Sequence, residues 1–246
     1  MSKKMNQHRG ATDDILVTNR VVRARDAIRS GMDGCDIRRL VRRGRFLRLA
    51  PGIYRNTHLS QSDEEDQLVA ALRAPNAAFC LESAFYWHGL LDAKPETIWL
   101  GLRAKGRRPK INDLAVRFVW LTGAFDRLPV ETWEFDRVRI TTLDPAAAVA
   151  HALARRDLIS KDVTIAALRT LVEEDPIQEL RVVRFAARCR VLDIVWPHLP
   201  RQRVADDAVC SLLERYDAPP PLAATESDTT VPPTTLPPDD VYWPAA

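Results

Sequence analysis

The run from Asp36 to Arg55, DIRRLVRRGRFLRLAPGIYR, constrains this chain more than any other, because arginines fill the polar positions of a pattern whose apolar positions are regularly spaced. Ile37, Leu40 and Val41 fall at i, i+3 and i+4, which predicts a short helix with one buried face and with Arg38, Arg39, Arg42 and Arg43 on the other. Asp33 or Asp36 suits the N-cap, and Gly44 suits the C-terminal stop. Arg45 to Leu49 and Ile53 to Arg55 then flank Pro51-Gly52, the pattern of a hairpin that carries Arg45, Arg48 and Arg55. No acidic residue from Ile37 to Thr57 offsets these charges. Uncompensated arginines repel one another unless a polyanion neutralises them, so the run is expected to meet nucleic acid.

Upstream, the apolar positions between Asp13 and Ile28, clearest at Val21, Ala24 and Ile28, predict a helix that stops at Ser30-Gly31. Helix, turn, basic helix and basic hairpin make a winged helix-turn-helix over residues 13–57. On that expectation the basic helix enters the major groove of double-stranded DNA. There it offers Arg38, Arg39, Arg42 or Arg43 to base edges, where bidentate contact with guanine is the commonest specific pairing. The hairpin arginines are expected on phosphates or in the minor groove. Charge distribution agrees: residues 1–60 hold 14 Lys/Arg against 5 Asp/Glu, whereas residues 61–216 hold 22 against 23 and residues 217–246 none against 5.

The remainder predicts an α+β domain over residues 60–215, a mixed or antiparallel sheet with helices. Ser62-Asp63-Glu64-Glu65 matches a capping box before the buried positions Leu68, Val69 and Leu72, on a helix expected to join the two domains. A short buried strand is expected over Ala77–Leu81, then a helix turn capped by Ser83 and closed by Gly89. Strands are expected around Thr97–Leu100, Val116–Trp120, Glu131–Phe135 and Val138–Ile140. A basic loop from Arg103 to Lys110 lies between the first two of these. Asp144-Pro145 and Ser160 open helices, Pro176 begins another, and these should cover one face of the sheet. A last helix is expected around Asp206 to Tyr216. Residues 217–246 contain eight prolines and no Lys or Arg, and are expected to be a disordered acidic tail.

Several chemistries find little support. Cys35, Cys80, Cys189 and Cys210 form no Cys-x-x-Cys pair, so neither a zinc site nor a disulfide framework is expected. No apolar run follows Lys3 and Lys4, and no stretch reaches membrane-span length, so the expectation is a cytoplasmic chain without signal peptide or anchor. A restriction-type nuclease needs an acidic residue and an Asp/Glu-x-Lys element around a metal. The nearest match is Asp92-Ala93-Lys94 with Glu82 upstream, a triplet that arises easily by chance in a turn. His88 has no Ser or Cys nucleophile motif beside it and reads as a hydrogen-bonded packing residue. A ligand-gated regulator would use the aromatics between Phe85 and Trp99 to line a pocket, but no cofactor motif accompanies them.

The succession of Ile37-Arg-Arg-Leu-Val-Arg-Arg-Gly-Arg with Pro-Gly-Ile-Tyr54, then Glu82-Ser-Ala-Phe-Tyr-Trp-His-Gly-Leu90, then Val138-Arg-Ile-Thr-Thr142 and a helical segment resembles the AbiEi-like antitoxins of type IV toxin–antitoxin systems. The resemblance runs over about residues 15–190, and the Ser-Ala-x-x-x-His-Gly-Leu element is its more specific part. It implies a transcriptional autorepressor that binds operator inverted repeats, with Arg38, Arg39, Arg42, Arg43, Arg45 and Arg48 as the DNA-binding residues. It also implies a C-terminal domain that counters a nucleotidyltransferase-like toxin without a stable complex. One departure bears on that second activity. Where the family has an Arg/Lys-Thr pair and an acidic residue after the Thr-Thr element, this chain has Pro145, Ala146 and an alanine-rich helix.

Overall fold

The computed structural model describes residues 18–103, 108–175 and 177–199. Of the helix predicted from Asp13, residues 13–17 therefore lie outside the described residues, and the remainder is corrected. Val21 and Val22 sit in a strand, β1 (Val21–Arg23), and only α1 (Ala24–Arg29) is helical. The helical spacing was real, but the β-branched pair finds partners in the downstream hairpin, which the local pattern does not contain. Then follow α2 (Gly34–Arg42), β2 (Phe46–Ala50) and β3 (Ile53–Asn56). The three strands form an antiparallel sheet in the order β1-β3-β2, with Val21 opposite Arg55 and a register shift between Arg48 and Ala50.

This unit closes over a small core of Val22, Ala27, Met32, Ile37, Leu40 and Phe46, with the Phe46 and Tyr54 rings stacked at 6.0 Å between centroids. Val41, expected on the buried face, is instead 37% exposed. A core this small buries only two positions of α2, and those are taken by Ile37 and Leu40.

The next helix, α3 (Glu65–Arg73), joins the small unit to the rest. The predicted capping box is replaced by a turn upstream of the helix, in which Ser62 Oγ accepts from the Glu64 N–H at 3.3 Å. Leu68, Val69 and Ala70 of α3 share one apolar cluster with Val21 and Ile53 of the small sheet and with Phe79, Leu100 and Ile140 of a larger one.

That larger sheet contains β4 (Ala78–Phe79), β5 (Ile98–Arg103), β6 (Val116–Leu121), β7 (Val130–Phe135) and β8 (Val138–Leu143), in the order β6-β5-β4-β8-β7. The β5–β6 and β4–β8 pairs are parallel, and β4–β5 and β7–β8 are antiparallel. The strand predicted over Ala77–Leu81 shortens to two residues because Leu81 already opens α4 (Leu81–Trp87). Ser83 is not a cap but a fully buried residue inside α4.

Helices α5 (Pro145–Ala154), α6 (Lys161–Glu174), α7 (Ile177–Arg188) and α8 (Leu192–Val195) complete the described chain. Asp144 caps α5, its carboxylate accepting from the Ala147 N–H at 3.1 Å, with Pro145 in the first turn. Ser160 caps α6 by accepting from the Asp162 N–H at 3.2 Å. Ala146, Ala147, Ala148, Ala150 and Ala152 of α5 are fully buried, which lets the helix lie close against its neighbours. Helices α4 to α8 cover one face of the large sheet as expected, and α3 with the small unit covers the other, giving a mixed α+β architecture. The helix expected at Asp206–Tyr216 and the tail at 217–246 lie outside the described residues. Among the described residues no helix is long and apolar enough to cross a membrane.

Candidate nucleic-acid interface

The geometry of α2 is fixed at both ends. Asp33 accepts from the Cys35 N–H at 3.2 Å, and Asp36 accepts from the Asp33 N–H at 3.2 Å, a reciprocal cap that satisfies donors at the helix start. At the other end Gly44 adopts φ +68°, a left-handed conformation that favours glycine, while the Arg45 N–H donates to the Leu40 carbonyl at 2.9 Å and the Gly44 N–H to Val41 at 3.0 Å. The chain leaves the helix through this turn and enters β2 directly. Helix and hairpin are therefore joined with no intervening loop beyond this turn.

Arg38, Arg39, Arg42, Arg43, Arg45 and Arg48 are all exposed. Arg39 pairs with Asp36, one turn back on the same helix, and an Arg38 guanidinium nitrogen lies 3.4 Å from Cys35 Sγ. Among the described residues, Arg42, Arg43, Arg45 and Arg48 take part in no ion pair. Guanidiniums left solvated and free of carboxylates are the groups that a phosphate backbone can neutralise at least cost.

Arg55 stands apart from this group. It is half-buried and points to Glu65 of α3, with 3.5 Å between Nη1 and Oε1. Burial pushes the Glu65 carboxyl up, an effect larger than the downward pull of Arg55. The pair therefore sets the position of the hairpin relative to α3 and adds little stability of its own. The exposed apolar residues that sequence reasoning missed are Val41 and Leu47, which lie between the arginines. The arginine pattern flags the surface, but whether an interleaved Val or Leu is buried depends on how far the core extends beneath it.

The structure places the other candidates as follows. His88 Nε2–H donates to the Leu143 carbonyl at 2.7 Å, and its ring lies 5.6 Å from that of Trp133, tying α4 to β8 and β7. Asp92 and Lys94 are exposed, and Lys94 Nζ donates to the Asp63 carbonyl. Among the described residues no three His, Cys, Asp or Glu side chains gather where they could hold a metal ion. Cys80 and Cys189 are buried free thiols, and burial pushes Cys189 up to about 11. Cys35 is exposed, and Cys210 lies outside the described residues.

No curated protein matches the chain at a significant level. A solved structure similar to it is that of the RV2827C protein from Mycobacterium tuberculosis, at 16% identity over 83% of each chain and a TM-score of 0.47. Residues 16–57, the segment that carries β1, the basic helix and the hairpin, match the family of transcriptional regulators described as AbiEi antitoxin.

Proposed function

We propose that the chain is a DNA-binding transcriptional repressor of its own operon, with residues 18–57 acting as a winged helix-turn-helix. The observation that carries this is the surface of α2 and β2, where Arg42, Arg43, Arg45 and Arg48 are exposed without a carboxylate partner among the described residues. In this reading α2 lies in the major groove, with Arg38, Arg39, Arg42 and Arg43 available to guanine edges, and Val41 faces the same groove, where an apolar side chain suits a thymine methyl. Arg45, just before β2, and Arg48 on it reach phosphates or the minor groove beside it. The family match over residues 16–57 supports the regulatory role.

The larger α+β domain is then the part that acts as an antitoxin against a nucleotidyltransferase-like toxin, functionally and without a stable complex. The chain catalyses no reaction of its own in this reading and works in the cytoplasm on operator inverted repeats. The test is an electrophoretic shift with duplex DNA from upstream of the gene, repeated across salt concentrations. Affinity should fall linearly in log–log form, by about 0.9 for each phosphate contact. The variant with Arg38, Arg39, Arg42 and Arg43 all changed to Gln should lose the shift while keeping the parent's circular dichroism. Normal binding by that folded variant overturns the reading. Co-expression with an adjacent nucleotidyltransferase-like gene separates the antitoxin role from that of a lone regulator.

A further inference from the structure

The outer edge of the large sheet carries a second basic and aromatic surface that the DNA reading does not use. Strand β6 is the edge strand of that sheet, with no strand on its outer side among the described residues. Along it runs a cleft of about 440 Å³ lined by Trp99, Arg108, Arg117, Phe118, Trp120 and Arg155 among others. Arg117 lies over the Trp99 ring, 5.7 Å from its centroid, and Arg108 over the Phe118 ring at 5.2 Å. Neither guanidinium is in an ion pair among the described residues, so the rings fix their planes while their donors still face solvent. Arg155 also lines the cleft and is held in a two-point bond with Asp157 at 3.1 Å. Trp120 is 43% exposed, although a tryptophan at a strand position that serves only packing would be covered.

Uncompensated guanidiniums beside an exposed indole are the two elements that bind unpaired nucleotides, one for the phosphates and one for a stacked base. A duplex would bring the charge but keep its bases stacked internally, where Trp120 could not reach them. An acidic peptide would use the arginines and leave the indole idle. We propose that the β6 cleft binds single-stranded nucleic acid across the sheet edge, with a base stacked on Trp120 and the backbone held by Arg108 on the same face and Arg117 on the opposite one. The site is separate from the arginines of α2 and β2 and goes beyond the reading of the N-terminal unit.

The test measures fluorescence anisotropy of labelled oligothymidylate and oligouridylate of about twelve nucleotides, a length within the range such grooves cover, on the full chain. Trp120→Ala should weaken binding about tenfold or more, the size of one lost base stack. Arg117→Gln and Arg108→Gln should each weaken it and flatten its salt dependence, and Trp120→Phe should retain most of the affinity. Trp120, Arg117 and Arg108 are exposed, so the parent's melting temperature is expected in each variant. Duplex binding should be unchanged in them, while the fourfold α2 variant should lose duplex and keep single strands, which separates failure here from failure of the repressor reading. Preference for the uridylate over the thymidylate, or the reverse, identifies the natural strand. Parent-like single-strand affinity in Trp120→Ala and Arg117→Gln, or full competition by duplex DNA, overturns the proposal.

Discussion

Thr57 Oγ1 donates to the carbonyl of Gly44 at 2.7 Å, and the Thr57 N–H donates to the neighbouring Arg45 carbonyl at 3.0 Å. These two bonds join the residue that follows β3 to the turn that ends α2. Gly44 supplies the left-handed backbone and Thr57 holds it from across the sheet, so the angle between the basic helix and the basic hairpin is set by a residue that carries no charge. A surface read by DNA depends on that angle as much as on the arginines themselves.

Thr57→Val keeps the shape and removes the donor. Because Thr57 is exposed, the loss of stability should be about 1 kcal/mol or less, the ordinary net value of one hydrogen bond, and thermal denaturation should move by only a few degrees at this chain length. Duplex affinity should fall more than stability does, since the helix and hairpin then hinge independently. Equal duplex affinity in parent and Thr57→Val would show that the turn is held by Gly44 and the β2–β3 pairing alone.

Arg42 and Arg55 should behave differently although both sit in the same basic run. Arg42 is exposed and free of ion pairs among the described residues, whereas Arg55 is directed to Glu65. Arg42→Gln should lower duplex affinity and reduce the log–log salt slope by about 1, as expected when one cation no longer displaces counterions from the duplex. Arg55→Gln should leave the slope unchanged. A change of slope in Arg55→Gln would mean that the guanidinium leaves Glu65 when DNA binds.

These two arginines also mark what could be read before any fold was known. The basic helix, its Asp33 cap, its Gly44 stop and the Pro51-Gly52 hairpin depend on residues close in sequence, and each stands where the pattern places it. Strand β1 is not legible in this way, because Val21, Ala24 and Ile28 satisfy a helical spacing locally, while what makes Val21 and Val22 a strand is pairing with Arg55 and Tyr54. The engagement of Arg55 by Glu65 was invisible for the same reason, since it needs the position of α3. The β6 cleft draws on residues from Trp99 to Leu158, and its traces in the sequence are the basic loop that contains Arg108 and the run of Arg117, Phe118 and Trp120 along a strand, which only the fold brings together with Arg155.

Ser83 gives a test of the large domain that does not involve nucleic acid. Its side chain is fully buried, and its Oγ accepts from the backbone N–H of Trp99 at 2.8 Å, a residue that pairs in register with Arg117 of β6. Ser83→Ala leaves that N–H without its partner in a dry site, at a cost of about 1–3 kcal/mol. The midpoint of urea unfolding should fall with no change in the denaturant slope, because the surface exposed on unfolding stays the same. An unchanged midpoint would show that water reaches Trp99 N–H.

His151 makes the stability of the chain depend on pH. It sits fully buried in α5 with its ring 5.0 Å from that of Phe125, and neither ring nitrogen has a hydrogen-bond partner among the described residues. Burial, with Arg155 adding to it, pushes the imidazole down from 6.5 to about 4. Above pH 6.5 the ring is neutral whether the chain is folded or not, and the group contributes no pH dependence. Between pH 6.5 and 4 the unfolded chain takes up a proton that the folded chain refuses, so stability falls as pH falls through that window. Below pH 4 both states carry the proton and the loss levels off, at about 3 kcal/mol in total. His151→Leu places an apolar side chain of similar size in the same dry site. It should be at least as stable as the parent at pH 7, and the difference between the two unfolding curves should open by about that amount toward pH 4. Parallel curves from pH 7 to pH 4 would mean that the buried imidazole keeps an ordinary affinity for protons, through water or a polar partner brought by residues outside those described.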